Sequence, residues 1–201
     1  MLRNVSAEFP TGRNVGVLGL NGAGKSTTLR IIAGIEPPDS GKIERAVSIS
    51  WPVGFSGSFS ADLSGRHNVR FLARLYGAGV QNVESFVEEH AGLGEYFDHP
   101  VRSYSSGMKA RLSTSASLAI PFDCYIIDEA LATGDRRFQA RFDMLLKRIS
   151  ERASIFIVSH QITQIERYAD MVCVLNAGNM HVFDRARDGI TYYNRYVAPI
   201  E

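Results

Sequence analysis

The string GLNGAGKST at 19–27 satisfies the spacing G-x-x-x-x-G-K-[ST]. Starting from Gly19, the glycines let the backbone N–H groups of Asn21, Gly22, Ala23, Gly24, Lys25, Ser26 and Thr27 turn inward around the β- and γ-phosphates of ATP. Lys25 brings a point charge to the same phosphates, and the Ser26 hydroxyl is the expected Mg²⁺ ligand. A helix beginning behind the loop adds the partial positive charge of its N-terminus. Alone, such a string is a tight glycine turn before a helix. With Gly, Lys and Ser in register between a strand-like and a helix-like run, it reads as a triphosphate cradle.

FDCYIIDEALATGD at 122–135 supplies the carboxylates. Asp128 ends an apolar run, which places a carboxylate near the metal, directly or through a water. Glu129 follows at once and is the candidate general base for polarising an attacking water. By themselves, two adjacent carboxylates after a strand are equally a solvated turn, and it is the phosphate loop that favours chemistry. IFIVSH at 155–160 ends on His160. A lone His is more often structural, but at the end of a strand beside the Asp–Glu strand it is a candidate sensor of the γ-phosphate.

YSSGMKARLS at 104–113 offers a second anion site without a lysine. Ser105 and Gly107 stand where an amphipathic helix starts, so a hydroxyl, free N–H groups and a helix dipole converge. In isolation the stretch is an N-cap serine on a surface helix. One chain needs one phosphate loop per nucleotide, however, so a second element suggests two copies closing around shared ATP.

The elements that must hold these residues alternate. NVGVLGL (14–20) reads as a strand entering the Gly-rich turn, and STTLRIIAG (26–34) as a helix stopped by Gly34 and two prolines. HNVRFLARLYG (67–77) reads as a helix with Phe71, Leu72 and Leu75 on its inward face. A second helix is expected over 81–92, with Val83, Phe86 and Val87 inward, and a third near 106–119. CYIID (124–128) and SIFIVS (154–159) read as buried parallel strands, with a helix marked by Phe138, Phe142, Leu145 and Leu146 between them. MVCVL (171–175), a turn at 176–178 and MHVF (180–183) form a closing hairpin, followed by a helix over 185–196. Strand–helix alternation with an all-helical stretch at 62–118 predicts an α/β fold carrying a helical subdomain.

Bulk composition excludes several classes. The 22 basic residues balance 21 acidic ones, so no net field favours nucleic acid or an anionic membrane. Both cysteines lie in apolar strand-like runs and read as small buried hydrophobes of a reducing compartment. No apolar run approaches the ~20 residues that span a bilayer, and the start lacks a signal-peptide core.

The order GLNGAGKST, helical insert, YSSGM, YIIDEALATGD, IVSH resembles the ATP-binding-cassette (ABC) ATPases over essentially the whole chain. The resemblance implies a P-loop NTPase core with an inserted helical subdomain, one ATP-binding domain over 1–201, ATP and Mg²⁺ as ligands, and a head-to-tail homodimer. Lys25 and Ser26 of one copy would then face Ser105 and Gly107 of the other. The chain departs from the family's pattern in four places. The L-S-G-G-Q signature is YSSGM, with Tyr104, Ser106 and Met108 substituted. S-A-L-D after the catalytic pair is ATGD, keeping Asp135. The glutamine between the first core strands and the insert is missing near GFSG (54–57), where Ser56, Ser58 or a backbone carbonyl could partly substitute. The strand bearing the adenine-stacking aromatic has no counterpart, since MLRNVSAEFPTG matches the strand just before the phosphate loop.

SISWPVGFSGSF, NVRFLARLYG, YSSGMKARL and DEALATGD look most like the ATP-binding subunits of capsule-polysaccharide exporters of Gram-negative bacteria. O-antigen and teichoic-acid exporters are similar, and some carry an additional C-terminal carbohydrate-binding domain for which this chain has no room. The implied setting is the cytoplasmic face of the inner membrane, on a membrane-spanning permease that contacts loop 52–65 and the helical insert and moves the polysaccharide. A soluble non-transport cassette ATPase and a degenerate module that no longer hydrolyses are the alternatives. Replacing Glu129 by Gln is expected to preserve ATP binding and to lower turnover by about 10²–10⁴-fold, measured as phosphate release.

Overall fold

In a computed structural model of the chain, the described residues are 2–55, 57, 59–128, 136–159 and 161–199. The strands are β1 (Val15–Gly19), β2 (Ile49–Pro52), β3 (Cys124–Ile127), β4 (Ser154–Val158), β5 (Met171–Asn176) and β6 (Asn179–Phe183). The helices are α1 (Lys25–Ile32), α2 (Gly65–Leu75), α3 (Val80–Ala91), α4 (Ser106–Ala119), α5 (Arg136–Ser150), α6 (Ile162–Tyr168) and α7 (Ala186–Tyr196). The chain divides into two compact units with breaks after Pro52, after Phe122, between 128 and 136, and after Leu146. One carries the sheet with α1, α6, α7 and the end of α5; the other carries α2 to α4 and the start of α5.

Among the described residues the sheet runs β2-β3-β4-β1-β5-β6, parallel except for the antiparallel β5–β6 hairpin. Every residue of β1, β3 and β4 is buried, as parallel strands covered on both faces require. Val15, Val17, Leu29, Ile126, Phe156 and Val158 form the heart of one packed cluster. Cys124 and Cys173 lie in the same cluster, and burial pushes both thiols up to about 12.

Asn14 sets where the central strands begin. Its side-chain oxygen accepts the Ile155 N–H at 3.0 Å, and its carbonyl accepts the N–H groups of Asp170 and Met171. At the sheet edge, β2 and β3 slip register between Ile49 and Pro52. The buried Ser50 hydroxyl fills the gap by accepting the Ile126 N–H at 2.9 Å. Residues 2–14, expected to include a strand, form none. That segment is tied instead by the Arg3 N–H to the Gly178 carbonyl and by Phe9, edge-on to Phe156.

In the helical unit, the buried stripe of α2 is Gly65, Asn68, Val69, Leu72 and Ala73. Only Leu72 of the expected inward trio is buried; Phe71 is 56% and Leu75 61% exposed. The small Ala73 and the polar Asn68 occupy the inward positions that a count of large apolar residues assigns elsewhere. Asn68 earns its burial by hydrogen bonding. Its amide nitrogen donates to the carbonyls of Ser60, Leu63 and Ser64, and its oxygen accepts the Ser60 N–H. On α3, Val83 and Val87 are buried as expected, while Phe86 is half-buried and stacks on His90.

Nor is α4 amphipathic: residues 112–118 are all buried, four of them Ser or Thr. Hydroxyls at Ser113 and Ser117 return to the carbonyls of Ala110 and Ser113, which makes a polar helix compatible with burial. Arg66 ties α2 to its neighbours through Glu84, Glu88 and Asp98, with its guanidinium 4.6 Å from the Phe97 ring centre. Those three carboxylates hold the guanidinium protonated well above its ordinary range, and the hydrogen bond from Arg70, with a second from Arg66, depresses the Glu84 carboxyl.

Gly189 of α7 faces β5 so closely that a Cβ there would lie 2.6 Å from Val172 Cβ. Gly189→Ala is expected to lower the melting temperature by about 3–10 °C, read by thermal unfolding, because the strand cannot retreat from an overpacked contact.

Candidate nucleotide site

β1 delivers the chain into the loop through two glycines chosen by close approach. A Cβ on Gly16 would sit 2.6 Å from Ile165 Cγ2, and one on Gly19 would sit 2.8 Å from the Leu175 carbonyl oxygen. The loop then turns through Gly22 at φ 80° and Gly24 at φ 94°, backbone that residues with a Cβ adopt only under strain. Neither glycine has an atom within 4 Å of a built Cβ, so both positions border open space and are kept for their backbone conformation rather than for close packing.

Gly24 is the N-cap of α1 and has no side chain to satisfy the first-turn N–H groups. Its carbonyl accepts both the N–H and the hydroxyl of Thr28 at 2.8 Å, which locks the first turn. Lys25 curls over the loop, its Nζ donating to the carbonyls of Gly19 at 2.8 Å and Leu20 at 3.1 Å. Ser26 is exposed at the helix start, and Thr27 accepts a bond from Arg30. At the other end, Arg45 caps α1 by donating to the carbonyls of Ile31 and Ile32. Uncapped donors thus face the loop, while the C-terminal carbonyls are satisfied by a cation.

Parallel register brings the other expected residues to this edge. Ile127 of β3 pairs with Ile157 of β4, which pairs with Gly16 of β1. At that level β3 ends, β4 has one residue left and β1 runs on to Gly19. Asp128, directly after β3 and half-buried, therefore stands on the side of the sheet from which the loop leaves. β4 ends beside it. The buried Ser159 accepts the Gln161 N–H at 3.0 Å and donates to the Gln164 side chain at 2.9 Å, fixing the passage into α6. Glu129, Asp135 and His160 lie outside the described residues, as do Ser56 and Ser58.

Among the described residues no three His, Cys, Asp or Glu side chains converge to hold a metal by themselves. A Ser26 hydroxyl and an Asp128 carboxylate suit Mg²⁺, which keeps waters and phosphate oxygens and needs few protein ligands.

The helical unit presents Ser105 and Gly107. Ser105 is the N-cap of α4, its hydroxyl accepting the Met108 N–H at 3.2 Å, and it is exposed. Gly107 has only the Ser105 hydroxyl at 4.0 Å from a built Cβ, so its backbone is open to approach. Tyr104 is buried, its hydroxyl donating to the Tyr96 carbonyl, and burial raises the phenol above its ordinary range. Where the family's glutamine is missing, the Gly54 carbonyl accepts the Ser113 hydroxyl at 2.9 Å, which ties that loop to α4. Sequence reasoning passed over Asn68 and Ser113. An Asn in an apolar stripe and a run of hydroxyl residues in the middle of a helix are the signals that mark them.

A parallel core with a glycine loop entering a helix, an acidic strand end and a separate helical unit define an ATP-binding cassette. The sequence profile of the ABC transporter family matches residues 2–132, and the chain belongs to that family as an ABC ATPase. It is 45% identical over 196 residues to the capsule polysaccharide export ATP-binding protein CtrD of Neisseria meningitidis serogroup B, covering 96% of this chain and 90% of that one. It is 46% identical over 196 residues to the ATP-binding protein BexA of Haemophilus influenzae, covering 96% and 89%. A solved ATP-binding subunit of an ABC transporter superimposes with a TM-score of 0.73 at 25% identity, over 91% of this chain and 84% of that one. Among the described residues no helix is long and apolar enough to cross a membrane.

Gly19→Ala is expected to weaken ATP binding about tenfold, since the Leu175 carbonyl can accommodate the added carbon only if the loop entry moves. Titration of the purified chain with a fluorescent ATP analogue checks it.

Proposed function

We propose that this chain is the ATP-hydrolysing subunit of an exporter of capsular polysaccharide. The observation that carries it is the near-complete mutual coverage with CtrD at 45% identity. In this reading 1–201 is one ATP-binding domain that pairs head to tail with a second copy and sits on the cytoplasmic face of the inner membrane.

The loop from Gly19 to Thr27 wraps the phosphates with its N–H groups, and Lys25 transfers its ammonium from the loop carbonyls to the β- and γ-phosphates. The register of the strand ends supports Ser26 and Asp128 as the pair that holds Mg²⁺. The metal supplies charge neutralisation on the phosphate oxygens. Glu129 takes the proton of the attacking water, and His160, next after the fixed Ser159, bonds the transferred phosphoryl group. Ser105 and Gly107 of the second copy donate to the γ-phosphate from across the dimer. Most of the catalysis is positioning and charge stabilisation.

The permease docks on the segment from Phe55 to Leu63 and the outward face of α2. Phe55, Leu63, Phe71, Leu75 and Tyr76 are large apolar side chains that all stand exposed there. The export role is tested by deleting the gene in its host and labelling surface polysaccharide. Loss of surface polymer with retention of polymer inside the cell is expected, rescued by the wild-type chain and not by Lys25→Ala. Normal surface polymer in the deletion strain would overturn it.

A further inference from the structure

Tyr104 occupies the signature's first position, where the family pattern has leucine, and its surroundings are specific to a phenol. The side chain is 5% exposed, and its hydroxyl donates to the Tyr96 carbonyl. The same oxygen fills the space above Gly65. A Cβ on that glycine would lie 2.5 Å from the hydroxyl, 3.0 Å from Phe97 Cδ2 and 3.2 Å from the Phe97 carbonyl oxygen. A leucine has no polar atom for the Tyr96 carbonyl and does not reach as far as a phenol hydroxyl.

Both partners of this contact are the first or last residue before something that must be aimed. Gly65 opens α2 directly after its N-cap Ser64, whose hydroxyl accepts the His67 N–H at 3.2 Å. Tyr104 precedes Ser105, the N-cap of α4. Between them the chain is stitched by a short antiparallel pairing. The Val101 N–H donates to the Leu63 carbonyl at 3.0 Å, the Arg102 N–H to the Ala61 carbonyl at 2.8 Å, and Ser64 bridges Pro100. The Tyr104 backbone is held too, its N–H donating to the Val101 carbonyl at 3.1 Å. Once Tyr104 is fixed at both its backbone and its hydroxyl, two dihedral angles separate it from Ser105. Beyond them, the Ser105 hydroxyl is itself held by accepting the Met108 N–H.

We propose that Tyr104 is a positioning residue: its phenol, seated on Gly65 and bonded to the Tyr96 carbonyl, aims the Ser105 hydroxyl and the Gly107 N–H at the nucleotide held by a second copy of the chain. The proposal rests on the reading that Ser105 and Gly107 meet the γ-phosphate. Tyr104 touches no substrate and acts through Ser105. Its loss therefore lowers the turnover of the closed dimer and leaves the first encounter of ATP with the phosphate loop as it was.

The experiment compares Tyr104→Phe, Gly65→Ala, the double variant and Ser105→Ala in the full chain. Turnover, half-saturating ATP and melting temperature are measured for each, with activity read where every variant is folded. Tyr104→Phe is expected to lower kcat about fivefold with half-saturating ATP unchanged, the effect of losing one directed hydrogen bond. Gly65→Ala is expected to lower kcat about tenfold, because the new carbon displaces the hydroxyl. Adding Tyr104→Phe to Gly65→Ala then raises kcat, since the colliding oxygen is gone; the same change thus has opposite signs in the two backgrounds. A Tyr104→Phe variant with lowered melting temperature but wild-type kcat would overturn the proposal, as would strictly additive losses in the double variant. If Ser105→Ala turns over normally, the reading of Ser105 falls with it. If Ser105→Ala is impaired while the Tyr104 and Gly65 variants are not, only the positioning role falls.

Discussion

β1 lies between β4 and β5 and is hydrogen-bonded in parallel to both, and this double ladder is what the site depends on. A strand held on both sides cannot slide, so the loop that leaves it starts from a fixed point. The same ladder continues through β4 to β3, which ends β3, and with it Asp128, on the side of the sheet from which the loop leaves. Gly16 and Gly19 are the local condition for this arrangement. Ile165 and the Leu175 carbonyl press on β1 so closely that any side chain would force it away.

The helical unit solves a different problem, which is to present an exposed Ser105 and a half-buried Gly107 at the start of a helix whose residues 112–118 are buried. α4 can be buried because its serines bond to its own turns and to Gly54. Its first turn is aimed by contacts with the start of α2, through the pairing of 61–64 with 100–102 and through Tyr104 on Gly65. Arg66 adds a polar clamp among Glu84, Glu88 and Asp98 at the same end of α2. Three kinds of interaction therefore converge within a few residues of Ser64.

Much of this was legible in the chain. The strand boundaries of β1, β3, β4 and β5 fall within a residue or so of the apolar runs, because a strand buried on both faces must be apolar throughout. β6, exposed or half-buried along its length, was marked by the turn at 176–178 instead. α1, α3, α4 and α7 likewise fall close to the helices expected from the sequence, the first stopped at Gly34. The face of α2 was misread: Phe71 and Leu75 are the larger apolar residues, yet Val69 and Ala73 pack inward beside Leu72. Residue size carries no information about direction when both sides of a helix bear apolar side chains. The segment before β1 was also read as a strand, although strand formation needs a paired edge that its own residues do not specify.

The sequence by itself determined the chemistry on offer: a glycine loop with Lys25 and Ser26, a carboxylate after an apolar run, and a capped serine at 105. Those are local properties, since spacing within a single turn or strand end decides which atoms point together. Only the tertiary structure decided that β4 intervenes between β1 and β3, and that Ser50, Asn14 and Asn68 close gaps in backbone pairing. It also decided that a tyrosine in place of leucine rests on a glycine thirty-nine positions earlier in the chain. These are contacts between residues far apart in sequence, and they exist only once packing has excluded water and left each buried polar atom to find its partner.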